Sequence, residues 1–178
     1  MIDLTKRGLP NVVEINGRPY SIYTDFRVWM RFANDAKYMK SDEYMDVSYI
    51  FKNDMPKYCN LNILLDFCFP KSELPRNKGN SKEIHFDYVL DADYIYAAFM
   101  SQYGIDLIEI EELHWHKFLA LFKGLKDDEI ICKIMGYRGY EKDDGKTDRF
   151  ARLKEDWRIE YISPKEQAEI DEFNNMFK

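Results

Sequence analysis

The chain has 178 residues, of which 46% are hydrophobic, 33% charged and 16% aromatic. That is enough apolar content for one folded domain and too little low-complexity sequence for a disordered one. A net charge of −6 argues against nucleic acid as the main ligand, and no apolar run reaches the ~20 residues that span a bilayer, so no membrane role is expected. The opening, MIDLTKRGLP, lacks the apolar centre of a signal peptide, and the expected location is the cytoplasm.

Residues 12–23 read VVEINGRPYSIY, two apolar runs flanking Asn16-Gly17. This spacing predicts a β-hairpin with Val13, Ile15, Tyr20 and Ile22 on one face. Pro19 has no N–H to give a ladder, so the second strand is expected at an edge. Thr24 and Asp25 can cap a helix through FRVWMRFANDAKYM, with Phe26, Trp29, Met30 and Ala33 on one stripe. Ser41-Asp42 can cap a second helix over 44–52, and a third is expected over 61–69, stopping before Pro70.

Residues 70–83, PKSELPRNKGNSKE, read as an exposed loop within a single domain spanning 1–178. A helix is then expected with Ile95, Ala98, Phe99 and Gln102 at helical spacing, ended by Gly104 in a left-handed cap. The next helix is expected from near Ile110 to Gly124. Asp127-Asp128 can cap EIICKIMGY, and 139–145 read as another loop. A helix over 147–160 would carry Phe150, Leu153 and Trp157 on one face. Ser163-Pro164-Lys165-Glu166 is a capping box before a last helix with Ile170, Phe173 and Phe177. Residues 147–178 are expected to form a C-terminal helical arm or cap, the arm reading making those six apolar residues partner-binding. The class is mainly α with a small N-terminal β-hairpin (α+β), a compact bundle of about six to eight helices.

The stretch ELHWHKFLALFKGL, 112–125, holds two of the three histidines. On the helix expected from near Ile110, His114 and His116 point roughly 160° apart at ~100° per residue and cannot share a metal, so the stretch reads as a core helix. Trp115, Phe118, Leu119 and Phe122 form the apolar stripe between them. Cys59, Cys68 and Cys132 are odd in number and widely spaced, and read as buried thiols rather than disulfides or a zinc knuckle. Phosphate loops and nucleophile elbows are absent from the sequence. Acidic groups at Asp42, Glu43 and Asp46, at Asp91 and Asp93, and at Glu109, Glu111 and Glu112 fit solvated faces. A Cys132 nucleophile paired with His85 or His114 is disfavoured by its apolar helix. The expectation is no enzyme, no cofactor and no metal.

The runs DADYIYAAFMSQYGIDL (91–107), ELHWHKFLALFKGL (112–125) and IMGYR (134–138), with GLP and TDFRVWMRF near the start, resemble a family of small proteins from tailed phages and prophages of Gram-positive bacteria. The resemblance spans roughly 8–140. Its genes lie in the tail module before the tape-measure gene, and a second Trp often stands where this chain has His116. It implies a tail-assembly chaperone or accessory protein. Such a protein would bind the tape-measure protein and other tail proteins in the host bacterial cytoplasm during virion morphogenesis, self-association being a further option. A core and interaction signature follows from it: Trp29, Tyr96, Phe99, Tyr103, Asp106, His114, Trp115, Phe118, Phe122 and Arg138. The alternatives are a tail-completion or connector protein retained in the virion and, from the enzyme class, a small cytoplasmic hydrolase.

Overall fold

The architecture starts from the N-terminal hairpin and is seen in a computed structural model that describes residues 2–39, 44–70, 84–141, 148–159, 172–173 and 176. Strands β1 (Val12–Ile15) and β2 (Arg18–Ser21) pair antiparallel, with Val13 opposite Tyr20 and Ile15 opposite Arg18. Asn16 and Gly17 both have positive φ, as a two-residue primed turn needs. Val13, Ile15 and Ile22 are buried, while Tyr20 is half-buried.

Helix α1 (Phe26–Tyr38) is capped by Asp25, whose side chain accepts from Arg27 N–H. Phe26, Trp29, Phe32 and Ala33 are its buried residues. Helix α2 (Leu61–Cys68) starts at Asn60, which accepts from Asn62 N–H, and ends one residue before the expected Phe69. Helix α3 (Ala92–Tyr103) is closed by Gly104 at φ 65, whose N–H reaches back to the carbonyl of Met100. Helices α4 (Trp115–Lys123), α5 (Ile130–Arg138) and α6 (Asp148–Asp156) complete the six helices among the described residues. Helix α1 packs against α4 and α2, and α2 against β1. The chain is therefore mainly helical with a small N-terminal hairpin. No helix among the described residues is long and apolar enough to cross a membrane.

Two expected helices differ. Residues 44–52 form only a short 3-10 turn over Ser48–Ile50. The backbone there is used elsewhere: Tyr23 N–H donates to Ile50 O at 2.8 Å and Lys52 N–H to Ser21 O at 3.0 Å, so residues 50–52 bond to the hairpin side instead of continuing a helix. Helix α4 begins at Trp115, not near Ile110. Residues 106–110 instead make a turn in which Asp106 Oδ1 accepts from Ile108 and Glu109 N–H, while Arg27 holds the carbonyls of Leu107, Ile108 and Ile110. The proposed caps Ser41 and Asp42, the loop residues 71–83, and Ser163-Pro164, Ile170 and Phe177 of the C-terminal arm lie outside the described residues.

The contacts divide the chain into two units, residues 1–82 with 87–133, and residues 83–86 with 134–178. In the first, the core is centred on Trp29, Phe99, Trp115 and Phe118, each fully buried. In the second, Arg138 is buried. Its Nε donates to Trp157 O at 2.6 Å and a terminal nitrogen donates to His85 O. Tyr140 stacks on Phe150, and Lys154 Nζ donates to Tyr140 O.

Candidate interaction site

The signature residues are brought together mainly as a packed frame. Phe118 lies at its centre, stacked on Phe26 at 5.3 Å, on Phe99 at 5.0 Å, on Trp115 at 5.5 Å and on Phe122 at 6.0 Å. Tyr88, which the sequence reading missed, stands edge-on to Trp115 and Phe118. Both central indoles have their N–H satisfied: Trp29 Nε1 donates to Tyr23 O at 2.7 Å, and Trp115 Nε1 to Cys68 O at 2.8 Å. An aromatic that is both buried and hydrogen-bonded fixes its neighbours' backbones as well as filling volume.

The polar members hold main chain. Tyr103 OH donates to Leu121 O at 2.8 Å, tying α3 to α4. Tyr96 OH donates to the Asp106 carboxylate at 3.1 Å, tying α3 to the following turn. Arg138 does its holding in the second unit. Of the arm residues, Phe150 is partly exposed against Tyr140, Leu153 and Trp157 are half-buried, and Phe173 is exposed.

The histidines correct the sequence geometry. His114 is not in the helix but is its N-cap, and the ring centroids of His114 and His116 lie 5.3 Å apart rather than on opposed faces. The cause is pairing between the two helix starts. Phe26 N–H donates to Leu113 O, Trp115 N–H to Thr24 O, and Leu113 N–H to the Asp25 carboxylate. These bonds extend residues 113–114 and deny them helical geometry. His114 Nδ1 accepts from His116 N–H at 3.0 Å, so its Nε2–H donates to Pro10 O. His116 is buried against Phe67, and its Nε2–H donates to Phe67 O at 2.9 Å. Its Nδ1 is buried with no partner among the described residues.

Three of the four ring nitrogens are thus occupied by main chain, and the pair serves as structural bracing. Among the described residues no group of three or more His, Cys, Asp or Glu is placed to hold a metal. Cys68 is buried, but Cys59 and Cys132 are half-exposed, so the expectation of buried thiols holds for Cys68 alone. Burial, with Asp127, Glu129 and Asp128 nearby, pushes the Cys132 thiol up and keeps it protonated, against the needs of a nucleophile.

A polar node that the sequence reading passed over starts α3. Asp87 is buried, accepting from Lys37 Nζ at 2.9 Å and Tyr38 OH at 2.6 Å through Oδ2, and from Val89 and Leu90 N–H through Oδ1. Asp91, also buried, accepts from Asp87 N–H at 2.9 Å. Burial opposes the Asp87 charge, but the bonds from Tyr38, Lys37 and the two amides outweigh it and hold the pKa down to about 2. The signal available in sequence was the Asp-x-x-x-Asp spacing before an apolar helix, which is a capping pattern rather than a catalytic pair.

Burial also lowers both histidines, His116 to about 4, the Phe67 carbonyl only partly offsetting it. The folded state therefore binds fewer protons than the unfolded chain, whose histidines titrate near 6.5. Stability is full above about pH 6.5 and is lost as pH falls towards 4, by on the order of 2 kcal/mol. Melting midpoints measured between pH 7 and 4.5 should decline accordingly. His116→Phe should flatten the decline, and an unchanged slope in that variant would contradict the assignment.

With these side chains committed inward, the apolar groups left outside become the candidate binding features. Met100 and Ile108 are exposed, as are Val89, Leu90 and Ile130. Residues 6–159 match the protein family described as Bacteriophage Gp15 protein. The chain belongs to that family. The match covers both helix starts, the aromatic frame, the Asp87 node and α6, so the Gp15 family extends about twenty residues beyond the resemblance read at 8–140. Comparison with curated proteins and with solved structures gives no match. This is a bacteriophage protein.

Proposed function

We propose that this Gp15-family protein is a tail-assembly chaperone, which binds the phage tape-measure protein in the host cytoplasm and keeps it soluble until the tail tube encloses it. The reading rests on family membership and on the resemblance of residues 91–107, 112–125 and 134–138 to tail-module proteins. The observation that carries it is the division between inside and outside. The signature aromatics and histidines are spent on the frame, while apolar side chains such as Ile108 and Met100 stand on the surface. A rigid scaffold with exposed apolar residues suits capture of amphipathic helices, and it needs no reacting group.

Phage genetics and particle composition test the role. Deleting the gene should abolish tails and leave the tape-measure protein in the insoluble fraction, and purified wild-type particles should contain none of this protein. Stoichiometric copies in mature particles would overturn the chaperone reading in favour of a retained tail-completion or connector component.

A further inference from the structure

We infer that the solvent face of α3, with Ile108 at one side and Ile130 at the other, is the docking strip, and that it takes a basic amphipathic helix of a partner protein. The inference rests on the chaperone reading for the partner's identity but not for its chemistry.

Helix α3 carries apolar side chains outward as well as inward, its exposed face running from Asp93 through Ala97 and Met100 to Ser101. Ile95, Ala98 and Phe99 point into the core, while Ala97 and Met100 are exposed, with Tyr96 half-buried beside them. A surface helix ordinarily turns a polar face outward. Hydrogen bonds place the flanks. The Asp106 carboxylate accepts from Tyr96 OH and from Ile108 N–H, which brings Ile108, 72% exposed, beside the Tyr96 end of the face. Ser101 Oγ donates to Glu129 at 3.3 Å, which brings Ile130, 55% exposed, beside the Met100 end. Ile108, Tyr96, Ala97, Met100 and Ile130 thus lie along one strip, all within the first unit.

Charge selects the occupant. The exposed or half-exposed carboxylates next to these residues in the chain are Asp93 on α3, Glu109 after Ile108, and Asp127, Asp128 and Glu129 before Ile130, five acids against Lys123, Lys126 and Lys133. Arg27, near Ile108, is already engaged with Asp25 and three carbonyls. A helix presenting an apolar stripe flanked by Lys or Arg complements such a rim, whereas an acidic helix is repelled. A second copy of this chain, itself at −6, would bring like charge to the same place.

The test uses two fluorescein-labelled 20-residue helical peptides with the same leucine stripe, one with lysine and one with glutamate on the remaining face. They are titrated into the full chain by anisotropy. The lysine peptide should bind, more weakly as salt rises, and the glutamate peptide should not. Ile108→Ser/Ile130→Ser, at exposed positions that leave melting unchanged and add no charge, should weaken lysine-peptide binding at least about tenfold. Equal binding of both peptides, or an unaffected double variant, overturns the assignment, as does a wild-type dimer by light scattering that the double variant abolishes. Co-purification with the tape-measure protein separates the two claims. If wild type and double variant both retain it, the strip is wrong and the chaperone reading survives. If wild type fails to retain it while peptide binding behaves as stated, the strip stands and the chaperone reading falls.

Discussion

Trp115→Ala should lower the unfolding free energy by about 3 to 5 kcal/mol, the range for emptying a large aromatic site in a close-packed core. The residue has no exposed surface, stacks on Phe118 and touches Tyr88 edge-on. Its indole N–H also closes the end of α2 through Cys68 O, so the substitution removes volume and strands a buried carbonyl together. Denaturant titration followed by circular dichroism measures the loss. Trp115→Phe should recover part of the volume but not the hydrogen bond, and should fall between the two. A midpoint that barely moves for Trp115→Ala would mean that the aromatic frame is not the core.

Asp87→Ala should cost about 3 kcal/mol, for a different reason: it leaves Lys37 Nζ, the Tyr38 hydroxyl and two amide N–H groups without their shared acceptor. Asp87→Asn keeps one oxygen for the amides but loses the charge facing Lys37, and should cost less. The carboxylate's lowered pKa gives a further signature. Its stabilisation is complete above the unfolded value of 3.8 and is lost as pH falls towards 2, below the histidine window. Acid unfolding of Asp87→Asn should therefore lack the lower of the two steps. Retention of both steps would show that another group titrates there.

What could be read from sequence follows the range of the interactions. The hairpin was legible because Asn16-Gly17 specifies its own turn, and α1, the end of α2 and the end of α3 because Asp25, Pro70 and Gly104 act on residues next to them, whereas the Asn60 cap of α2 was not read. The start of α4 was not legible. Residues 113–115 give their backbone bonds to residues 24–26, and only the fold brings those segments together. The short turn at Ser48–Ile50 has the same origin, its flanks bonded to Tyr23 and Ser21. The histidine spacing was read correctly as letters but placed on a helix that does not yet exist at His114, so opposed rings became neighbours. Asp87 escaped notice because its partners Lys37 and Tyr38 lie about fifty residues away, where no periodicity reaches. The apolar outer face of α3 was visible in the run IYAAFM only as hydrophobicity, and the structure divides it into buried and exposed halves.

The central claim is that this scaffold holds a tape-measure protein in solution. Co-expression of the two chains, followed by size-exclusion chromatography with light scattering on the soluble fraction, tests it most directly. The account predicts that the tape-measure protein becomes soluble only in the presence of this chain and elutes with it in one complex. A tape-measure protein that stays insoluble in its presence, or that is soluble and elutes alone, would contradict the account.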